Sequence, residues 1–193
     1  MAFVAHFYFR KHLKLQRTHT YINQVREPIR RVISHYYYMR SIKRPKKRIK
    51  KFLKSKEFNE TLEECIKNQH KGCESNVMTR FFCGTHSYCR TGSEKALRRA
   101  MYNIKHYYGV VGLLEQYDAY LHVLHRRLPR FFTWIKSPSN ARIKSNPSYD
   151  IMNVSNKVKH ILKVANWADV KLYEFVQERF TKQAKSCDIA SVR

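Results

Sequence analysis

The sequence predicts an α/β domain built on a parallel sheet, and three observations carry that prediction. A run of β-branched and aromatic residues, Thr20 to Val25, stops at Arg26-Glu27-Pro28 and gives way to apolar residues at helical spacing. A second helix and strand follow the cysteine-containing middle of the chain. Further helical patterns follow, and strands that alternate with helices are joined by crossovers and lie parallel.

The elements follow in order. TYINQV, Thr20 to Val25, mixes residue types as a buried strand does. Pro28 can occupy the first position of a helix, since its missing N–H has no partner there anyway, and Ile29, Val32, Ile33, Tyr36 and Tyr37 then form one apolar stripe. Ser93 with Glu94 opens a helix through Tyr107, and VVGLL, Val110 to Leu114, is a short buried strand. A helix from Gln116 to Leu128 presents Tyr117, Tyr120, Leu121, Leu124 and Leu128 on one face. Residues 133 to 150, rich in Ser, Pro, Asn and Lys, read as a loop, and Val158 to Ala184 as a last amphipathic helix or pair. In such sheets ligands bind beyond the carboxyl ends of the strands, which is where Arg26 falls.

A length of 193 residues with 43% hydrophobic content fits one domain or most of one. The 39 Lys and Arg against 14 acids give a formal charge of +25, a field that draws polyanions. Nucleic acid, an acidic membrane and a sulfated polysaccharide all satisfy it. The densest stretch, Arg40 to Lys56, holds ten basic residues and no acid, and reads as a polycation loop or exposed helix. Nothing approaches the roughly 20 apolar residues of a membrane span, and MAFVAHFYFRKH turns basic before a signal-peptide core develops. Phe3, Val4, Phe7 and Phe9 look like interior residues, so a truncated chain or incomplete gene model is expected.

Cys65 and Cys73 are eight apart, Cys83 and Cys89 six apart, and Cys187 stands alone. Short-loop disulfides are the natural reading, because a zinc site would ordinarily contain a gap of two to four residues between ligands. Asn59-Glu60-Thr61 and Asn153-Val154-Ser155 are glycosylation sequons, meaningful only in a secretory compartment.

Arg26 follows the strand and Ser34 lies two turns into the helix. An arginine fork and a serine hydroxyl suit a nucleotide phosphate, although the same residues elsewhere are a solvated arginine and a serine bonded to its own helix. Here the sequence resembles a family. YINQVREPIRRVISHYYYMR, Tyr21 to Arg40, resembles the block of the heparan sulfate 2-O-sulfotransferase and uronyl 2-sulfotransferase family that binds the 3′-phosphate of the sulfate donor PAPS. TLEEC, FFCG, MYNI, VVGLLEQ, LPRFF and LYEFVQERF follow in family order. The Tyr36 to Tyr38 run and LPRFF lean toward the heparan sulfate enzyme.

The resemblance implies a single parallel-sheet sulfotransferase domain related to P-loop nucleotide-binding folds. Residues 1 to 193 would be its C-terminal part, lacking the first strand and the loop that cradles the phosphosulfate. It implies that Arg26 and Ser34 hold the 3′-phosphate, that Cys65 pairs with Cys73 and Cys83 with Cys89, and that His6 is the catalytic base. Histidine suits that role because its pKa lies near the operating pH, and without the resemblance His6 would be a packed residue on an apolar strand. The heparan sulfate enzyme carries a second histidine where this chain has Val4. Lys144, in Lys144-Ser145-Asn146-Pro147, matches a donor-binding loop, and Lys47 and Arg48 fall where the family contacts its polysaccharide.

The expected activity is transfer of sulfate from PAPS to the 2-hydroxyl of a uronic acid, with no metal. The expected substrate is a sulfated glycosaminoglycan and not nucleic acid, and the expected place is the Golgi lumen, as an anchored type II protein in full-length form. The resemblance points to a homo-oligomer, a trimer in the heparan type, while the short end from Cys187 to Arg193 leaves the oligomer state open. Without the phosphosulfate loop, the chain alone is expected to transfer little or nothing. The competing expectation, from a different class, is a non-catalytic heparin- or polyanion-binding remnant of the same fold. Binding of nucleic acid fits poorly with cysteines at disulfide spacing.

Overall fold

The computed structural model describes residues 8–11, 20–40, 52–133 and 154–187. Strand β1 (Tyr21–Val25) leads through Arg26 and Glu27 into helix α1 (Pro28–Arg40). Two short helices follow, α2 (Leu62–Asn68) and α3 (Val77–Cys83), then α4 (Glu94–Tyr107), strand β2 (Tyr108–Leu113), α5 (Tyr117–Arg127), α6 (Asn156–Ala165) and α7 (Trp167–Lys185). The strands pair in parallel, in register from Ile22 opposite Val110 to Val25 opposite Leu113.

The expected strand–turn–helix unit stands where the sequence placed it, and the second strand starts earlier than expected. It begins at Tyr108, so α4 passes into β2 without a loop. The final helical stretch is a pair that breaks at Asn166. Helices α2 and α3 were not expected at all. Seven residues is too short for an isolated helix to be stable in water, so these two depend on caps and tertiary contacts.

Two apolar clusters hold the elements. In the larger, Val110, Val111 and Leu113 of β2 lie between Leu97, Ala100 and Ile104 of α4 and a stripe on α7, Ala168, Leu172, Val176, Phe180 and Ala184. The four-residue recurrence on α7 puts all five on one face. Gly112 faces α5, and a Cβ there would overlap the ring of Tyr120, so this strand position accepts only glycine. The smaller cluster packs Val32, Ile33 and Tyr36 of α1 against Cys65, Ile66, Cys73 and Leu162. The structure joins Cys65 to Cys73 inside that cluster and Cys83 to Cys89 in the larger one, and Cys187 is free.

Local caps explain the short helices. Thr61 and Glu64 form a reciprocal cap at the start of α2, Thr61 N–H donating to the Glu64 carboxylate at 2.8 Å. Beside it, His70 Nδ1 lies 2.8 Å from the Glu60 carboxylate. The hydrogen bond to Glu60 raises the His70 pKa above its ordinary 6.5, and that same bond lowers Glu60 below its ordinary 4.5. The histidine's share of stability is therefore complete below 6.5 and fades as pH rises through its folded-state pKa. The glutamate's share is present above 4.5 and fades on acidification through its folded-state value. Titration of the His70 ring by NMR should give a midpoint above 6.5 that falls back in Glu60→Gln; a midpoint unchanged by that substitution would break the assignment.

Candidate functional site

The site is built at the carboxyl ends of the two strands. Pro28 fixes the backbone for the first turn of α1, and Glu27 completes the cap. Its carbonyl accepts from Arg31 N–H at 2.8 Å, while its carboxylate accepts from Ile29 N–H at 3.0 Å and Arg30 N–H at 2.7 Å. The free donors of a helix N-terminus ordinarily make it an anion site. Here Glu27 already occupies two of them, so an anion at this turn must be held by side chains.

Arg26 and Ser34 are the side chains in position. Both are half-buried, and neither side chain has a hydrogen bond or ion pair among the described residues. Ser34 in particular does not bond back to its own helix. Arg30, Ser34 and Tyr38 share one stripe of α1 at four-residue spacing, on the face away from the buried Val32, Ile33, Tyr36 and Met39. Half-burial of a guanidinium with no partner is unfavourable unless a ligand or water completes it.

The turn that carries Arg26 is tied to both neighbouring elements through Glu115, just past β2. Glu115 accepts from Glu27 N–H at 2.9 Å through one carboxylate oxygen and from Tyr173 O–H at 3.0 Å through the other. Burial first, then the Glu115 carboxylate, pushes the Tyr173 phenol up, which keeps it a donor at neutral pH. Nothing in the sequence assigned a role at this site to Glu27, Glu115 or Tyr173. The only signal was the placement of Glu115 within VVGLLEQ at the end of a strand.

On its other side α1 is anchored by a buried polar junction. Arg31 Nη2 donates to Glu74 O at 3.0 Å and to Asn166 Oδ1 at 3.5 Å, and its Nε lies 3.9 Å from Asp169 Oδ2. Asp169, fully buried, accepts from Met78 N–H at 3.1 Å and Thr79 N–H at 2.7 Å, at the start of α3. Asn76 returns the favour, its Oδ1 accepting from Ala168 N–H and Asp169 N–H at the start of α7. Two helix N-termini are thus capped by each other's side chains. Burial raises the Asp169 pKa, opposed by Arg31 and the two backbone donors.

Of the other residues singled out in the sequence, His6, Lys47, Arg48 and Lys144 lie outside the described residues. Arg40, read as the first cation of the basic stretch, has a different role. Its guanidinium donates to Phe58 O at 3.1 Å and Glu57 O at 2.6 Å and lies 3.8 Å from the Tyr36 ring centre, so it closes the end of α1. Among the described residues no cluster of three or more His, Cys, Asp or Glu side chains has the arrangement of a metal site. No helix among them is long and apolar enough to cross a membrane.

Known proteins resemble this chain in the same sense. No family model matches it. Heparan sulfate 2-O-sulfotransferase 1 of Gallus gallus is 36% identical over 123 residues, covering 58% of this chain and 32% of that protein. Heparin sulfate O-sulfotransferase of Drosophila melanogaster is 31% identical over 188 residues, 91% of this chain and 52% of that one. Uronyl 2-sulfotransferase of Homo sapiens is 27% identical over 179 residues, 83% of this chain and 42% of its own length. The chain therefore spans between about a third and a half of the length of these relatives. A parallel strand–turn–helix unit in a chain with these similarities is that of a sulfotransferase relative. Within that class, the chain is similar to heparan sulfate 2-O-sulfotransferases and to uronyl 2-sulfotransferase.

Proposed function

We propose that this chain is part of one sulfotransferase domain, related to P-loop folds, that transfers sulfate from PAPS to the 2-hydroxyl of a uronic acid in a heparan-type glycosaminoglycan. The observation that carries the reading is the unpartnered pair Arg26 and Ser34 beside a helix N-terminus already filled by Glu27. In this reading Arg26 supplies the charged fork and Ser34 the hydroxyl for the donor's 3′-phosphate, and Lys144 adds a contact from its loop. His6 removes the proton from the 2-hydroxyl as that oxygen attacks sulfur, and the sulfur–oxygen bond to the nucleotide breaks to leave PAP. Lys47 and Arg48 take the polysaccharide's sulfates and carboxylates. Two disulfides fit an oxidising lumen such as the Golgi.

Radiolabelled PAPS and 2-O-desulfated heparan provide the test. In the full-length protein that contains this chain, label recovered as 2-sulfated uronate, and lost in His6→Ala, is the expected result. PAP binding with no transfer would favour the non-catalytic polyanion binder, and label on any other position would overturn the regiochemistry.

A further inference from the structure

A second cationic surface lies outside the donor site, on α4. Lys95, Arg98, Arg99, Tyr102, Lys105 and His106 recur at three- and four-residue spacing and occupy one face, opposite the buried Ala96, Leu97, Ala100 and Ile104. Glu94 is the only acid between His86 and Tyr107, and it pairs with Arg98 at 3.2 Å in an exposed contact, which is worth little against a polyanion.

Aromatic rings interleave with these cations in an ordered way. Arg99 lies 5.4 Å from the ring centre of Tyr102, which is 47% exposed, and the Tyr102 and His106 rings are 4.2 Å apart. Lys95 Nζ lies 4.6 Å over Tyr88, itself stacked on His86 at 5.3 Å. The Cys83–Cys89 disulfide holds the turn that carries Tyr88. Arg99 Nε is buried with no hydrogen-bond partner.

We infer that this face is an accessory binding surface for an extended sulfated polysaccharide. Cations at helical spacing meet successive sulfates and carboxylates, and exposed rings give flat platforms for sugar faces. The rings are already ordered by their cation contacts and by a disulfide, so little side-chain freedom is lost on binding. The same charge and aromatic pattern would serve single-stranded nucleic acid. Two disulfides fit an oxidising compartment, where a sulfated glycan is a commoner polyanion than nucleic acid. The choice of glycan rests on the proposed function; the existence of the surface does not.

The test compares the protein with Lys95→Gln/Arg98→Gln/Lys105→Gln, three exposed positions outside the core, and with Tyr102→Ala, using size-fractionated heparin across a salt series. The triple variant should bind about tenfold more weakly or worse near physiological salt, its log-affinity slope against log salt falling by about two to three. Tyr102→Ala should weaken binding with the slope unchanged. If the triple variant does not fold, Lys105→Gln alone should reduce the slope by about one. PAP affinity should hold in every variant. Loss of PAP affinity from wild type would undermine the donor-site reading while leaving the heparin comparison intact. Unchanged heparin affinity and slope in the folded variant would overturn the surface, and equal competition by a single-stranded oligonucleotide of matched charge would overturn its assignment to glycan.

Discussion

Asp169→Ala is expected to destabilise the protein by about 3–5 kcal/mol, the range for leaving one partner of a buried ion pair alone. The carboxylate is fully buried, accepts from the backbone N–H groups of Met78 and Thr79, and lies 3.9 Å from the Arg31 guanidinium. Removing it uncaps the short helix α3 and strands a charge that is only slightly exposed. Such a loss is a large share of the roughly 5–15 kcal/mol that holds a typical domain together. Urea denaturation should show the midpoint falling with its slope preserved. Arg31→Ala/Asp169→Ala should cost less than the two single changes added, because the second change removes the charge that the first one stranded. Additive losses, or a loss below about 1 kcal/mol for Asp169→Ala, would mean that the junction is not a coupled unit.

The junction also shows what a sequence can and cannot reveal. The β1–α1 unit was legible because its signals are local: a β-branched run, a stop at Arg26-Glu27-Pro28, then a helical stripe. Arg26 and Ser34 could be named for the same reason, since both sit on that unit. Asp169 could not, because its donors Met78 and Thr79 are about ninety positions away. In the sequence it reads as an acid in the first turn of its own helix, an ordinary placement. Helices α2 and α3 were missed because seven residues carry too little periodicity, and what stabilises them is a capping box, a disulfide and a borrowed carboxylate. Arg40 was misread for the opposite reason. A run of cations looks solvated throughout, yet its first member turns inward once the carbonyls of Glu57 and Phe58 are brought beside it.

Arg26→Ala is expected to weaken PAP binding by about 2–5 kcal/mol, the cost of removing one side of a buried charge-assisted pair, or between one and four powers of ten in affinity. The size of the effect follows from Glu27. Where a helix N-terminus is open, backbone donors share the load of a bound phosphate and the loss of one side chain is moderate. Here Ile29 N–H and Arg30 N–H are bonded to the Glu27 carboxylate, so in the proposed site the side chains of Arg26 and Ser34 carry the contact. Ser34→Ala, which removes a single hydroxyl, should cost about 1 kcal/mol, and Arg26→Lys, which keeps the charge but not the fork, should fall between the two alanine variants. The fold should be indifferent to both positions, because neither side chain has a protein partner among the described residues. Calorimetric titration with PAP beside thermal melts separates the two effects. Unchanged PAP affinity in Arg26→Ala removes this residue from the site, and a matching fall in melting temperature makes Arg26 a structural residue instead.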